Sequence, residues 1–123
     1  MTKIQKLVIA IADNDLPAAA EHLQNALQST AHKSLKPIIS LRLARVYIAQ
    51  NELEKAKAII AKNKSDNAYL VNFQELQGDI YRLENDFDNA RKTYQMAREK
   101  AAESGQDSAL LDLKLDDLGR ADS

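Results

Sequence analysis

The chain has 123 residues, and its 17 basic residues are balanced by 18 acidic ones. This length allows one sizeable hydrophobic core, and the balanced charge argues against a surface that follows a phosphate backbone, so no nucleic-acid partner is expected. The absence of Cys excludes disulfide bonds, thiolate-ligated zinc and thiol nucleophiles.

Apolar residues near the amino terminus recur at the spacing of an amphipathic helix, which we predict over residues 2–12. The outermost helix of a helical array normally turns a polar face to solvent, whereas this one would leave an apolar face uncovered. We therefore expect the chain to be a fragment with upstream residues removed, and we expect self-association through this helix. The self-association candidates are Ile4, Leu7, Ile9 and Ile11.

The next helix is predicted over residues 16–28, and it completes a first hairpin over residues 2–29. Asp15 is suited to cap its amino terminus because a carboxylate accepts hydrogen bonds from the free backbone N–H groups. Pro17 is tolerated because it falls in the first turn.

A second hairpin is predicted over residues 35–62. Ser34 is the predicted N-cap of its first helix, and Pro37 again falls in the first turn. Asn51, at the turn, is the predicted cap of its second helix. The polar residues 63–67 then predict a loop.

A third hairpin is predicted over residues 68–103, with its turn near Asp86. Asp86 and Asp88 resemble half of a calcium-binding loop, but helix capping explains them better. Asp88 and Lys92 have the i, i+4 spacing of an ion pair on the second helix.

The chain closes with an unpaired helix, predicted over residues 108–118, which we interpret as a C-terminal cap. Gly105 suits the end of the preceding helix because Gly adopts a left-handed backbone, and Gly119 is expected to end the last one. Its apolar stripe contains Leu111, Leu115 and Leu118, with Leu110 beside it, and its acidic residues Asp112, Asp116 and Asp117 are expected to form a solvated face.

The second and third hairpins repeat one pattern of side chains at an offset of 34 residues. A small residue is followed after three positions by an aromatic one, then by a polar turn, an alanine and a large apolar residue. This period and pattern are typical of tetratricopeptide repeats. The matched pairs are Ala44 and Gly78, Tyr47 and Tyr81, Asn51 and Asn85, Leu53 and Phe87, Ala56 and Ala90, and Ile60 and Tyr94.

Side-chain size explains this pattern. The small residues let the two helices of a hairpin approach closely, and one hairpin alone cannot bury its apolar face, so neighbouring hairpins must stack. The large residues Leu53, Ile60, Phe87 and Tyr94 are expected to fill the space between hairpins. The predicted fold is therefore all-α, a tetratricopeptide-like right-handed α-solenoid of three helical hairpins plus a C-terminal capping helix, in a single domain over residues 1–123.

The first helices of successive hairpins line the concave side of such an array, so their non-packing residues are predicted to form a partner-binding groove. Arg45 and Asp79 are equivalent at the 34-residue offset, and two interpretations stay open for them, a salt bridge between neighbouring hairpins or recognition of a partner. The groove candidates are Ile38, Leu41, Arg45, Ile48, Asn72, Glu75, Asp79 and Arg82.

No set of residues with the spacing of a catalytic or metal site occurs. His22 and His32 are ten positions apart without a further ligand at suitable spacing, and no nucleophile motif or phosphate-binding glycine loop is found. Tyr47, Tyr81 and Tyr94 occupy packing positions of the repeat, which explains them better than a stacking platform for bases. We expect no enzymatic activity, no metal and no cofactor.

Several segments have sequences that are more specific than the general repeat pattern. They are Asn14-Asp-Leu-Pro-Ala-Ala-Ala, Leu23-Gln-Asn-Ala-Leu, Leu35-Lys-Pro-Ile-Ile-Ser-Leu-Arg-Leu-Ala-Arg-Val, Gln77-Gly-Asp-Ile and Leu113-Lys-Leu-Asp-Asp-Leu. Together they resemble the YfgM-type ancillary subunit of the SecYEG translocon. The resemblance implies a bacterial inner-membrane protein with one membrane span and a periplasmic repeat domain. Its implied partners are the Sec translocon, a membrane-anchored periplasmic chaperone of the parvulin type and translocating chains.

Two hypotheses for function follow. The first is a non-enzymatic periplasmic scaffold, tethered by an upstream membrane span, that docks a chaperone and the translocon. The second is a soluble cytoplasmic tetratricopeptide adaptor or regulator that binds a peptide or small ligand in the same groove. About 20 apolar residues encoded upstream would select the first hypothesis.

Overall fold

The computed structural model describes residues 15–63 and 68–121 of the chain. The helix predicted over residues 2–12, with Ile4, Leu7, Ile9 and Ile11, lies outside the described residues. Self-association through that helix therefore stays a prediction.

The described residues form six α-helices and one short 3-10 turn, and no β-strand occurs among them. The prediction of an all-α fold is confirmed. The contacts divide the chain into two compact units, residues 1–63 and residues 64–123. The helices are α1 (Leu16–Ser29), α2 (Lys36–Ala49) and α3 (Leu53–Lys62) in the first unit, and α4 (Leu70–Leu83), α5 (Phe87–Ser104) and α6 (Ala109–Ala121) in the second.

In the first unit, α2 packs against both α1 and α3. The amino terminus of α1 is capped as predicted, because Oδ1 of Asp15 accepts a hydrogen bond from the backbone N–H of Ala18 at 3.2 Å. Ala19 and Leu23 on α1 are buried, and so are Ala44 and Tyr47 on α2. These residues form the interior face of the first unit.

The start of α2 differs from the prediction. Ser34 does not cap this helix, because it lies inside the 3-10 turn Lys33–Leu35 and α2 begins at Lys36. Leu35, the residue at the N-cap position, has a right-handed helical backbone. The 3-10 turn therefore runs directly into α2, without the extended residue that a side-chain cap requires.

Asn51 is also not the helix cap that the sequence indicated. Its φ is +60°, and Asn85 at the equivalent turn has a φ of +62°. Each residue ends the preceding helix in the left-handed conformation, and the residue after it donates a backbone hydrogen bond of 2.8 Å back to the carbonyl oxygen of Tyr47 or Tyr81. The repeat of Asn at a 34-residue offset therefore reflects two identical helix C-terminal turns, since Asn tolerates this backbone better than most residues.

The second unit is built on the α4–α5 hairpin. Gly78 of α4 faces the ring of Tyr94 on α5 so closely that an added Cβ atom would lie 2.5 Å from Cε1 of the ring. The prediction that Gly78 permits close helix approach is therefore correct. Tyr94 is fully buried, and besides facing Gly78 it belongs to the same core cluster as Leu111 and Leu118 of α6.

The two ends of α5 follow the predicted rules. Oδ1 of Asp86 caps the helix by accepting a hydrogen bond from the N–H of Asn89 at 3.3 Å, and Gly105 ends it with a φ of +70°. Asp88 pairs with Arg91 at 3.3 Å instead of the predicted Lys92. Arg91, at i+3 and one position nearer in sequence than Lys92, is the residue whose side chain reaches Asp88.

Helix α6 packs on α5 through the predicted leucine stripe, since Leu111 and Leu118 are buried and Leu115 is partly buried against the same core. Oδ1 of Asp107 accepts a hydrogen bond from the N–H of Ala109 at 3.0 Å, which starts the helix. Gly119 does not end α6, because its φ is not positive and the helix continues to Ala121.

Candidate protein-interaction surface

The predicted groove residues of the first unit lie on α2, and they differ in exposure. Arg45 is exposed, and Ile38 and Ile48 are half-buried. Leu41 is only 5% exposed, so it is a core residue and its assignment to a partner-binding surface is wrong. The available part of the predicted groove on α2 is therefore Ile38, Arg45 and Ile48.

The predicted groove residues of the second unit lie along one face of α4, and all four are half-buried. Asn72, Glu75, Asp79 and Arg82 follow one another at helical spacing, and three of them contact side chains of α6. This face of α4 therefore holds the last helix.

Lys114 of α6 is the centre of these contacts. Its Nζ lies 2.9 and 3.1 Å from the two carboxylate oxygens of Asp79 and 3.2 Å from Oε1 of Glu75. The side chains of Lys114, Glu75 and Asp79 are 20%, 14% and 23% exposed, respectively. An ion pair that is this well shielded from water is screened less than one on an open surface.

Tyr94 belongs to the same network. Its hydroxyl group donates a hydrogen bond of 2.5 Å to Oδ1 of Asp79, and Nζ of Lys114 lies 5.8 Å from the centre of its ring. Burial raises the pKa of Tyr94 well above its usual value, and the hydrogen bond and charge of Asp79 raise that pKa further. The phenol therefore stays protonated and acts as a donor that helps to fix the carboxylate of Asp79.

Two further ion pairs join α6 to its neighbours. Arg82 of α4 pairs with Asp117, and Arg98 of α5 pairs with Asp112 at 3.5 Å. The side chains of Asp112 and Asp117 are 54% and 47% exposed, as expected of a solvated face, but both also form ion pairs. Asp116 of the same group is exposed, as expected.

Asp79 was expected either to pair with Arg45 or to face a partner. Its hydrogen-bond partners, Tyr94 and Lys114, are both in its own unit. The carboxylate is therefore already neutralised, and it is a poor candidate for recognition of a partner.

A depression of about 330 Å³ lies beside these contacts. Two cationic and two acidic side chains line it together with Leu113, which is 65% exposed. The mixed charge of this depression does not favour a strongly charged small ligand. The charged lining residues are Arg82, Lys114, Asp116 and Asp117.

Two of the tyrosines that could have stacked on bases are buried. Tyr47 is 6% exposed, and its hydroxyl oxygen accepts a hydrogen bond from the side-chain amide of Gln24, while Tyr94 is fully buried. Neither ring offers a face to a nucleobase. Within residues 15–63 and 68–121, no three His, Cys, Asp or Glu side chains lie close enough together to hold a metal ion.

Sequence reasoning missed Lys114 altogether. A signal was present, because Asp79 and Lys114 are 35 residues apart and Arg82 and Asp117 are also 35 apart. Opposite charges separated by about one repeat length are candidates for contacts between the first helices of successive repeats. The prediction of a capping helix says nothing about partners on α4 for its charged residues.

None of the helices that the structure describes combines the length and the apolar character needed to cross a lipid bilayer.

A sequence model of the tetratricopeptide repeat-like domain family matches residues 1–120 of the chain. The chain is 30% identical over 115 residues to the ancillary SecYEG translocon subunit of Aggregatibacter actinomycetemcomitans, and the alignment covers 94% of this chain and 55% of that protein. It is 24% identical over 110 residues to the protein of the same name from Buchnera aphidicola subsp. Schizaphis graminum, with 89% and 56% covered. The chain therefore spans about half the length of these curated relatives. No solved structure shows significant similarity.

Proposed function

Because the chain belongs to the tetratricopeptide repeat-like domain family, we propose that it is a non-enzymatic protein-interaction module of an ancillary subunit of the Sec translocon. The observation that carries this proposal is the similarity to a translocon subunit over 94% of the chain. The structure is compatible with it, because the described surface offers charged and apolar side chains on regular helices.

We propose that the module works on the periplasmic side of the bacterial inner membrane, tethered by a single span upstream of these residues. Its proposed partners are the translocon, a membrane-anchored chaperone of the parvulin type and chains in transit. This part of the proposal rests on the resemblance of segments such as Leu41-Arg-Leu-Ala-Arg-Val to YfgM-type subunits.

We propose that partners bind the face of α2 that carries Ile38, Arg45 and Ile48. This face combines half-buried apolar side chains with an exposed guanidinium group, the composition expected of a transient protein interface. On α4, Glu75, Asp79 and Arg82 hold α6, which leaves Asn72 as the remaining candidate there.

The proposal is tested by isolating the tagged, full-length protein from membranes of the bacterium that encodes it. SecYEG subunits and the chaperone should be recovered above the level of an untagged strain. Arg45→Glu should reduce recovery of at least one of them, whereas Lys62→Glu, an equal charge change at another exposed residue, should not. Recovery of the protein only from the soluble cytoplasmic fraction, with a cytoplasmic partner, would instead support the adaptor hypothesis.

A further inference from the structure

The middle of the first unit has a strongly one-sided charge. Between Glu21 and Glu52 the chain contains four basic residues and no acidic residue, although the whole chain is almost neutral. Three of the four, Lys36, Arg42 and Arg45, lie on α2, and the two arginines are about one turn apart. The local excess of positive charge is therefore concentrated on one helix.

These arginines belong to a continuous stripe along α2. Ile38, Arg42, Arg45 and Ala49 follow one another at i, i+4, i+7 and i+11, so they share one helical face. Arg42, Arg45 and Ala49 are exposed, and Ile38 is half-buried. We call these four residues the α2 stripe. The guanidinium groups of the two arginines therefore lie between the apolar side chains of Ile38 and Ala49.

Neither arginine has a counter-ion among the described residues. The second unit provides a contrast, because Asp79, the equivalent of Arg45 at the 34-residue offset, is neutralised by Lys114. Two like charges at i, i+3 repel each other, and bound carboxylates would relieve that repulsion. Guanidinium groups bind carboxylates in a two-pronged geometry that also fixes orientation.

We propose that the α2 stripe binds an acidic segment of a partner protein, with two carboxylates on Arg42 and Arg45 and an apolar side chain against Ile38. This inference rests on the proposed function, and it specifies the chemistry of the partner. The occupant is a protein segment, because two arginines bounded by Ile38 and Ala49 are too few to hold a phosphate backbone. A membrane-binding basic cluster normally has four to eight basic residues, whereas only two of the four in this segment lie on the stripe.

The test uses the intact 123-residue chain and a fluorescent peptide of about 12 residues, with one leucine and two glutamates at i and i+3, a spacing that matches the arginine pair. Its matched probe has glutamine in place of both glutamates. Fluorescence anisotropy at about 50 mM salt, where screening is modest, should show tighter binding of the glutamate peptide. R42E/R45E should weaken that binding at least tenfold and should instead favour a lysine version of the peptide.

The control variant is K62E/K92E, which makes the same change in net charge at two exposed lysines that are not part of the stripe. It should bind the glutamate peptide within about twofold of the unmodified chain. Far-UV circular dichroism verifies that both variants remain helical.

Equal binding of the two probes, or unchanged binding by R42E/R45E, would overturn the proposal. Binding to vesicles of anionic phosphatidylglycerol with no peptide preference would also overturn it and would indicate a membrane surface. The proposed function is judged separately by recovery of SecYEG subunits. If these are recovered while the peptide test fails, the translocon proposal stands and the α2 stripe is not its docking site.

Discussion

Gly78 has no side chain because the ring of Tyr94 occupies the space that one would need. The Cβ atom of an alanine would lie 2.5 and 2.6 Å from two ring carbons, and Tyr94 is fully buried and so has no free space to move into. Gly119 on α6 is the opposite case, because a Cβ atom added there meets nothing within 4 Å. The two glycines form a natural pair for comparison.

Gly78→Ala is expected to destabilise the second unit by about 1–3 kcal/mol, the usual cost of an overpacked core. The better helix propensity of Ala offsets part of this cost, by about 0.5–1 kcal/mol. Gly119→Ala should gain that propensity with no steric cost and should raise stability by up to about 1 kcal/mol. Urea unfolding followed by circular dichroism measures both. Equal and small effects would show that α4 and α5 do not approach as closely as described.

Tyr94 should make the free energy of unfolding depend on pH in the alkaline range. The ordinary tyrosine pKa is about 10, and burial together with Asp79 raises the pKa of Tyr94 in the folded chain above that value. Below about pH 10 both states keep this proton, so the group adds no pH dependence. Above about pH 10 the unfolded chain loses the proton first, and the free energy of unfolding falls as pH rises.

Tyr94→Phe should therefore reduce the loss of stability between about pH 9 and pH 11. The measurement is urea unfolding of the two proteins over that range, with their difference at neutral pH as the reference. An alkaline decline of equal steepness in both proteins would contradict the described environment of Tyr94.

At the level of single residues, the sequence predicted features that depend on one side chain and its nearest backbone. Asp15, Gly78 and Gly105 behave as predicted. Ser34 and Asn51 do not, because capping requires a particular backbone conformation at the capping residue, and residue type alone does not determine it. The matching positions of Asn51 and Asn85 are visible in the sequence, but their left-handed φ does not follow from residue type alone.

Helix α6 is held by two kinds of contact. Leu111 and Leu118 bury its apolar stripe against α5, and Lys114 joins it to Glu75 and Asp79 of α4. The apolar stripe alone would permit some sliding along α5, since apolar contacts are not directional. The ion pairs therefore fix the position of α6 along the hairpin.

Lys114→Ala should leave two shielded carboxylates close together without a cation. We expect a loss of about 1–2 kcal/mol, more than an exposed pair costs and less than a fully buried one. Amide hydrogen exchange should also show faster exchange in α6 than in α4 or α5. Lys92→Ala, at an exposed lysine of α5, is the control and should change stability by at most about 0.5 kcal/mol. An equal effect of the two substitutions would show that Lys114 does not help to hold α6 in place.

The positions of the helices could be predicted because apolar spacing, prolines and polar turns act locally. The predicted hairpins over residues 35–62 and 68–103 match the pairs α2–α3 and α4–α5 to within a few residues. The contacts of α6 could not be derived in the same way, because they join residues far apart in sequence. Only the repeated separation of 35 residues between opposite charges indicated them.

For the whole molecule, the 34-residue repeat led to the correct family, and the comparison with known proteins agrees. The partner-binding residues were harder to predict, because exposure depends on how neighbouring helices cover each position. Leu41 is buried by its surroundings, and Glu75, Asp79 and Arg82 are used by α6. The residues between Glu21 and Glu52 include four basic and no acidic ones. The near-zero net charge of the whole chain gives no indication of this local excess.

The central claim is that this repeat module contacts the Sec translocon or its chaperone. Site-specific photocrosslinking in living cells tests it most directly, with a photoreactive residue introduced in turn at exposed positions of the six helices, including Ala49. The account predicts adducts with a SecYEG subunit or a parvulin-type chaperone, strongest from positions on α2. Adducts with cytoplasmic proteins alone, from every position, would contradict it.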